Sequence, residues 1–268
     1  MFDRYRAKPG KSVDLKDRDP GDTAGFKGGK EKALEKIEEL AEELNRLQEI
    51  LYAEHKRSFL IILQGMDTSG KDGVVRHVFS RVSPHNVRVA DFKKPTWVEA
   101  GHDFLWRIHP HAPTQGEMVI FNRSHYEDVL VPWVHNLVPE KMLEKRYKHI
   151  VHFEKTLADQ GTVILKFFLH ISKEEQKKRL LARVKDPTKR WKFNPDDLKE
   201  RAFWHEYRKA YEKAIEETST DLAPWYIVPS NHKWFRNLLV ASVIVETLQG
   251  LKLKYPKIRF NPSQVRIK

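Results

Sequence analysis

Between Lys30 and His55 the apolar residues Leu34, Ile37, Leu40, Ala41, Leu44, Leu47, Ile50 and Leu51 recur every three or four positions, with Glu and Lys between them. That spacing predicts one amphipathic helix, its stripe lying across the chain's own sheet or forming a seam with a second subunit. The pattern then changes. Phe59-Leu-Ile-Ile-Leu is a continuous apolar run closed at Gly65, which reads as a buried strand, and helical spacing returns over 71–82. Further strands are expected at Val87–Asp91, Glu117–Phe121, Thr162–Leu169 and Trp225–Val228, and helices over 97–108, 141–160, 173–184 and from 234 to about 250. Strands alternating with helices argue for a five-stranded parallel sheet with helices on both faces, an α/β fold.

Three stretches stand outside that alternation. Residues 1–29 are polar and rich in Gly, Asp and Lys, and read as an extended N-terminal arm; residues 251–268 form a basic tail. Residues 30–250 make a single domain. Within it, residues of about 183–217 combine Lys189, Arg190, Trp191 and Lys192 with a long amphipathic helix carrying Phe203, Trp204, Tyr207, Ala210 and Tyr211, the composition of a mobile helical lid.

With 268 residues, 40% of them hydrophobic, the chain can bury a sizeable core. It has no cysteine, which removes disulfides and thiolate metal sites and suits a reducing compartment. No apolar stretch reaches membrane-spanning length, so a cytoplasmic protein without a membrane partner is expected. A net charge of +12 should attract polyanions, whether nucleic acid, anionic lipid or a phosphate-rich substrate, and equally suits a solvated basic surface kept for solubility.

The candidate chemistry begins where the first strand ends. Gly65-Met-Asp67-Thr68-Ser69-Gly70-Lys71-Asp72-Gly73 has the G-x4-G-K spacing of a phosphate-binding loop. Glycines there let several backbone N–H groups converge on one phosphate at a helix N-terminus, and Lys71 reaches the same oxygens. The Ser or Thr that ordinarily follows the lysine is replaced by Asp72. Ligands of open α/β sheets bind at the carboxyl ends of the strands. That rule gathers Asp67, Lys71 and Asp72 after the first strand, Lys93 and Lys94 after the second, and Asn122 and Arg123 after the third. Cations and carboxylates around one crevice suit phosphoryl transfer. The carboxylates Asp67, Glu127 and Asp128 imply Mg²⁺, with Mn²⁺ an alternative, and Asp67 is the first choice of ligand. His109 and His111 lack a completing carboxylate and read as structural or surface residues.

The Gly65–Gly73 loop, Lys93-Lys94-Pro95, Phe121-Asn122-Arg123-Ser124-His125-Tyr126-Glu127-Asp128, and the stretch from Arg183 to Tyr207 with Asp186-Pro and Trp191-Lys192 together resemble the family-2 polyphosphate kinases, over residues of about 30–250. The resemblance implies a three-layer P-loop kinase fold similar to thymidylate kinases, and Mg²⁺-dependent, reversible phosphoryl transfer from inorganic polyphosphate to AMP, ADP or both. It also implies roles. Lys71 and its loop hold the phosphates in flight, Asp67 serves metal and acceptor, and Asn122 and Arg123 contact acceptor phosphates. Arg76, Lys93, Lys94, Arg179, Arg183, Lys189 and Arg190 line the polyanion path. Where many relatives carry Asp this chain has Asn122, which moves the metal role to Glu127 or Asp128; these residues look like those of the subgroup accepting both AMP and ADP.

A polyphosphate chain has no base to recognise, so a stripe of Lys and Arg suffices for the donor. The acceptor needs one nucleoside pocket, for which Phe104 and Trp106 are the candidate stacking residues. A homodimer or homotetramer is expected. Two other readings stay open: a conventional nucleoside monophosphate kinase that uses ATP, and a non-catalytic nucleic-acid-binding protein; the first should carry Ser or Thr at position 72, and the second leaves the Gly65–Gly73 loop unexplained.

Overall fold

In the computed structural model residues 2–267 are described; Met1 and Lys268, the outermost residues of the expected arm and tail, lie outside them. The five parallel strands are β1 (Ser58–Gln64), β2 (Val87–Asp91), β3 (Met118–Asn122), β4 (Thr162–His170) and β5 (Trp225–Pro229), ordered β2-β3-β1-β4-β5. Central β1 is buried along its whole length, with Phe59 opposite Met118 on one side and Val163 on the other. That position explains its unbroken apolar run, since both of its faces are covered.

Helices α1 (Gly29–Glu54), α2 (Lys71–Val78), α3 (Trp97–Ala100), α4 (Glu127–Val134), α5 (Glu140–Asp159), α6 (Lys173–Lys185), α7 (Asp196–Ala202), α8 (Trp204–Thr218) and α9 (Lys233–Gly250) follow the strands in alternation. Because strand side chains alternate, Phe59, Ile61 and Leu63 point to the face covered by α1, α2 and α9, while Leu60 and Ile62 point to the face covered by α4, α5 and α8. The stripe on α1 is buried from Ile37 to Leu51 within this first core; only Leu34, 47% exposed, leaves it. A Leu44→Ala change there should cost about 2–5 kcal/mol.

The structure corrects four expectations. The helix over 71–82 stops at Val78, because Phe79 leaves helical geometry and buries itself, and the chain turns through Val82 towards Pro84. The helix over 97–108 shrinks to α3: Gly101 follows it, and the Asp103 carboxylate accepts from the Leu105 N–H (3.0 Å), tying the backbone into turns. The arm is not a free extension. Phe2, Tyr5, Ala7 and Leu15 are buried, Arg6 bridges Tyr226 on edge strand β5, and Leu15 N–H donates to Glu212 (2.9 Å), so its few apolar residues serve as anchors. Finally, α8 is part of the second core through Ala210, Tyr211, Ala214 and Ile215, which narrows the exposed hairpin to residues 186–203.

A buried polar cluster ties that second layer to the sheet. Lys166 on β4 donates to Glu154 of α5 (2.6 Å), to the Tyr126 hydroxyl (2.9 Å) and to the Thr218 carbonyl (2.8 Å). His125 Nε2 lies 3.3 Å from the same Glu154, and Trp225 donates to the Thr218 hydroxyl (2.9 Å).

Candidate active site

Three positive-φ residues shape the loop after β1: Gly65 (φ 151°), Thr68 (φ 64°) and Gly70 (φ 108°). A Cβ at Gly65 would stand 2.7 Å from the Leu169 carbonyl oxygen, so no other residue fits there. Lys71 is buried and donates to the Gly65 carbonyl (2.8 Å), folding its ammonium back over the loop. Burial and then Arg123 pull its pKa down to about 8, against the opposing effect of Asp67, Glu127 and Asp72. The Thr68 and Ser69 hydroxyls and the Asn122 amide oxygen have no hydrogen-bond partner. Among the described residues the loop thus carries spare polar groups that a phosphate or its counter-ion would engage.

β3 delivers the second set. Arg123 sits in left-handed conformation (φ 64°), its N–H held by the Leu63 carbonyl of the neighbouring strand (3.1 Å). From there its guanidinium donates to Asp67 (2.9 Å) and to Glu127 (3.3 Å), and these two carboxylates hold its charge well above the ordinary arginine value despite burial. Asn122 donates instead to Asp72 (3.1 Å). Asp128 has a different partner. Its carboxylate accepts from buried Arg107 (2.8 Å), which also donates to the Lys93 carbonyl (2.7 Å) and so fixes the Lys93-Lys94 loop. Pro132 in α4 has no N–H for the Asp128 carbonyl four residues earlier, and Arg146 takes that carbonyl at 2.6 Å.

These elements enclose a cleft of about 630 Å³. Its lining combines polar and charged groups (Gly65, Asp67, Lys93, Lys94, Arg123, Glu127 and Asp128) with apolar and aromatic ones (Phe92, Leu130, Pro132, Trp204, Tyr207 and Tyr211). Residues of the exposed hairpin and α7 complete it; among them Asp197 has its carboxyl pushed up by burial and then by Asp67.

Phe104 and Trp106 do not line this cleft. Phe104 packs under Arg146 (5.2 Å) and Trp106 stacks on His102 (4.1 Å), because the turns that replace the expected helix rotate both rings away. Arg76 is exposed on α2, and Arg183, Lys189 and Arg190 are engaged within the segment after α6, with the Lys192 carbonyl, Asp186 and the Val184 carbonyl respectively. Arg179 supports the loop from below, donating to the carbonyls of Thr68 (2.9 Å), Ser69 (3.0 Å) and Ser230 (2.6 Å). His109 and His111 are exposed, beside Phe153 and Phe92. The sequence reading missed Arg107, the aromatic wall of α8, Gln176, which donates to the Asp67 carbonyl (3.1 Å), and Arg236 under the loop. A signal for the last was available: an arginine beginning an otherwise apolar helix.

Two carboxylates sharing one arginine, with unpartnered hydroxyl and amide oxygens nearby, form a hard-oxygen set suited to Mg²⁺, which takes one or two carboxylates and completes its shell with water and substrate phosphates. Among the described residues no group of three or more His, Cys, Asp or Glu could hold a metal by itself. No helix of the described residues is long and apolar enough to cross a membrane.

The family model of polyphosphate kinase 2 matches residues 27–256. An AMP/ADP-polyphosphate phosphotransferase of Meiothermus ruber is 55% identical over 95% of each chain. An ADP-polyphosphate phosphotransferase of Rhodopseudomonas palustris is 43% identical over 95% of this chain and 92% of its own. The crystal structure of polyphosphate kinase 2 from Arthrobacter aurescens TC1 superposes with a TM-score of 0.94 at 44% identity, covering 97% of this chain and 93% of the other.

Proposed function

This chain belongs to the polyphosphate kinase 2 family, and from that membership we propose that it transfers a phosphoryl group from inorganic polyphosphate to AMP, ADP or both. The observation that carries the reading is the cleft itself: Lys and Arg from the strand ends, aromatic rings, and Arg123 paired to two carboxylates line one space. A donor that is only a chain of phosphates needs the cations; an acceptor nucleoside needs the rings. Stacking on α8 by Trp204, Tyr207 or Tyr211 takes the place first assigned to Phe104 and Trp106.

Bound Mg²⁺, held by Asp67 and Glu127, would neutralise phosphate charge as transfer proceeds. The chain's own groups do the aligning. Lys71 exchanges the Gly65 carbonyl for phosphate oxygens, and the N–H groups at the start of α2 receive the same phosphate. Arg123, freed from part of its carboxylate pairing, turns to the acceptor phosphate. Lys93 and Lys94 hold the chain of the donor. The acceptor oxygen of a nucleotide phosphate is already ionised near neutral pH, so alignment and charge neutralisation suffice without a general base. Asp128, committed to Arg107, orders the Lys93-Lys94 loop instead of meeting the metal.

The test is direct. Purified protein with Mg²⁺ and long-chain polyphosphate receives AMP or ADP in separate reactions without ATP, and the nucleotides are separated. Product that requires polyphosphate is the expected result. No product there, but turnover of a monophosphate once ATP is supplied, would replace this reading with a conventional nucleotide kinase.

A further inference from the structure

Arg236 is 2% exposed, lies in the first turn of α9, and makes no ion pair among the described residues. Its guanidinium donates to the Asn237 side chain (3.1 and 2.8 Å) and to the Ser69 carbonyl of the phosphate loop (3.3 Å). The charge that acts on it most is another cation, Arg179, which together with burial disfavours its charged form. Arg179 itself has Glu175 at 2.8 Å; Arg236 has no such partner.

Its position explains two glycines. A Cβ at Gly70 would fall 1.8 Å from the Arg236 guanidinium, and one at Gly73 would fall 2.9 Å from it. Gly70 and Gly73 therefore leave the room against the loop that the Arg236 guanidinium occupies. The first turn of α9 contains no acidic residue and that of α2 holds one, Asp72, which accepts from Asn122; the side chains of Lys71, Arg179 and Arg236 all donate to carbonyls of one short loop. A buried, unpaired cation is costly to a fold.

We propose that Arg236 is a positioning residue for the donor: from beneath the loop it holds the Ser69 carbonyl and supplies a buried positive charge that is balanced only when polyanionic phosphate lies above Gly70. The inference rests on the proposed transfer from polyphosphate and assigns a donor-side role to a residue outside the cleft. It requires that Arg236 acts on donor affinity, not on the acceptor, and that the ligand-free protein gains nothing from its charge.

The experiment compares the parent with Arg236→Met and Arg236→Lys, measuring KM for polyphosphate, KM for the nucleotide, and thermal unfolding with and without tripolyphosphate. Arg236→Met is expected to raise the polyphosphate KM about tenfold or more while the nucleotide KM stays within about twofold. Its unfolding temperature without ligand should match or exceed the parent's, and the rise produced by tripolyphosphate should shrink by half or more. Arg236→Lys, which keeps the charge, should recover most of both. A donor KM and a tripolyphosphate shift left unchanged by Arg236→Met would overturn the proposal, as would a loss of stability in both variants with the donor KM unchanged. If Arg236→Met yields no folded protein, Asn237→Ala decides, since it loosens Arg236 without removing its charge: a donor-specific rise in KM supports the role and none overturns it. A parent that never uses polyphosphate would sink the proposed function, yet the tripolyphosphate shift needs no turnover and still tests Arg236.

Discussion

Two buried lysines of this chain sit in opposite surroundings. Lys166, in the middle of the second layer, has a carboxylate, a hydroxyl and a carbonyl within 2.9 Å. Burial pushes the Glu154 carboxyl up, but Lys166 and His125 outweigh it and hold it below its ordinary value, while burial pulls Lys166 down against the pull of Glu154. Lys71 has one carbonyl; of its carboxylate neighbours, Asp67 and Glu127 are shared with Arg123 and Asp72 accepts from Asn122. The first cluster is complete without a ligand. The second offers the ammonium one carbonyl and carboxylates already bonded to other groups, which leaves Lys71 the freer of the two to take a new partner.

The sharpest way to break that comparison is to remove each lysine in turn. Lys71→Ala should lower transfer by about 10⁴-fold while the unfolding temperature stays level or rises, because the relief from burying an ammonium offsets the one hydrogen bond lost at the Gly65 carbonyl. Activity within about tenfold of the parent, with the fold intact, would remove the loop from the mechanism. Lys166→Met should do the reverse, costing about 4 kcal/mol of stability by stranding Glu154 in the core. Adding Glu154→Leu to it should recover much of that loss, read by denaturant unfolding; a double variant as unstable as the single would show that packing, not charge balance, is what Lys166 supplies.

A smaller effect separates the carboxylates of the cleft along the same line. Asp67→Asn should reduce activity by about 10²–10³-fold and raise the Mg²⁺ concentration needed for half-maximal rate. Asp128→Asn should instead cost about 1–2 kcal/mol of stability, since buried Arg107 loses its carboxylate, with the Mg²⁺ requirement unchanged. A Mg²⁺ dependence shifted by Asp128→Asn and untouched by Asp67→Asn would exchange their roles.

How much of this was legible beforehand follows from the range of the interactions. The sheet, the loop and the strand-end residues rest on local periodicity and glycine spacing, so β1, α2 and the positions of Asp67, Lys71, Lys93 and Arg123 could be read directly. Elements decided by a single side chain could not: Asp103 turns the chain before Phe104 and Trp106, and Pro132 hands the Asp128 carbonyl to Arg146. The N-terminal arm looked unpacked because four anchors, Phe2, Tyr5, Ala7 and Leu15, follow no period. Arg107 and Arg236 act through partners 21 and 167 positions away, a separation that no sequence window spans.

The smallest expected effect is also the one in which stability and activity should part company. The Lys71 pKa, drawn down to about 8 from 10.5, means that between those values the unfolded chain holds a proton that the folded chain has released. The contribution of this group to stability therefore rises with pH across that window, and the unfolding free energies of parent and Lys71→Met should converge as pH increases. Phosphate binding needs the ammonium, so kcat/KM for polyphosphate, which reports the free enzyme, should fall above about pH 8 by close to tenfold per unit. Bound polyphosphate restores the charge balance and raises the same pKa, so the corresponding limb in kcat should lie at higher pH. A kcat/KM flat to about pH 9.5 would mean that the carboxylates around Arg123 already balance Lys71 and keep its ammonium protonated through that range.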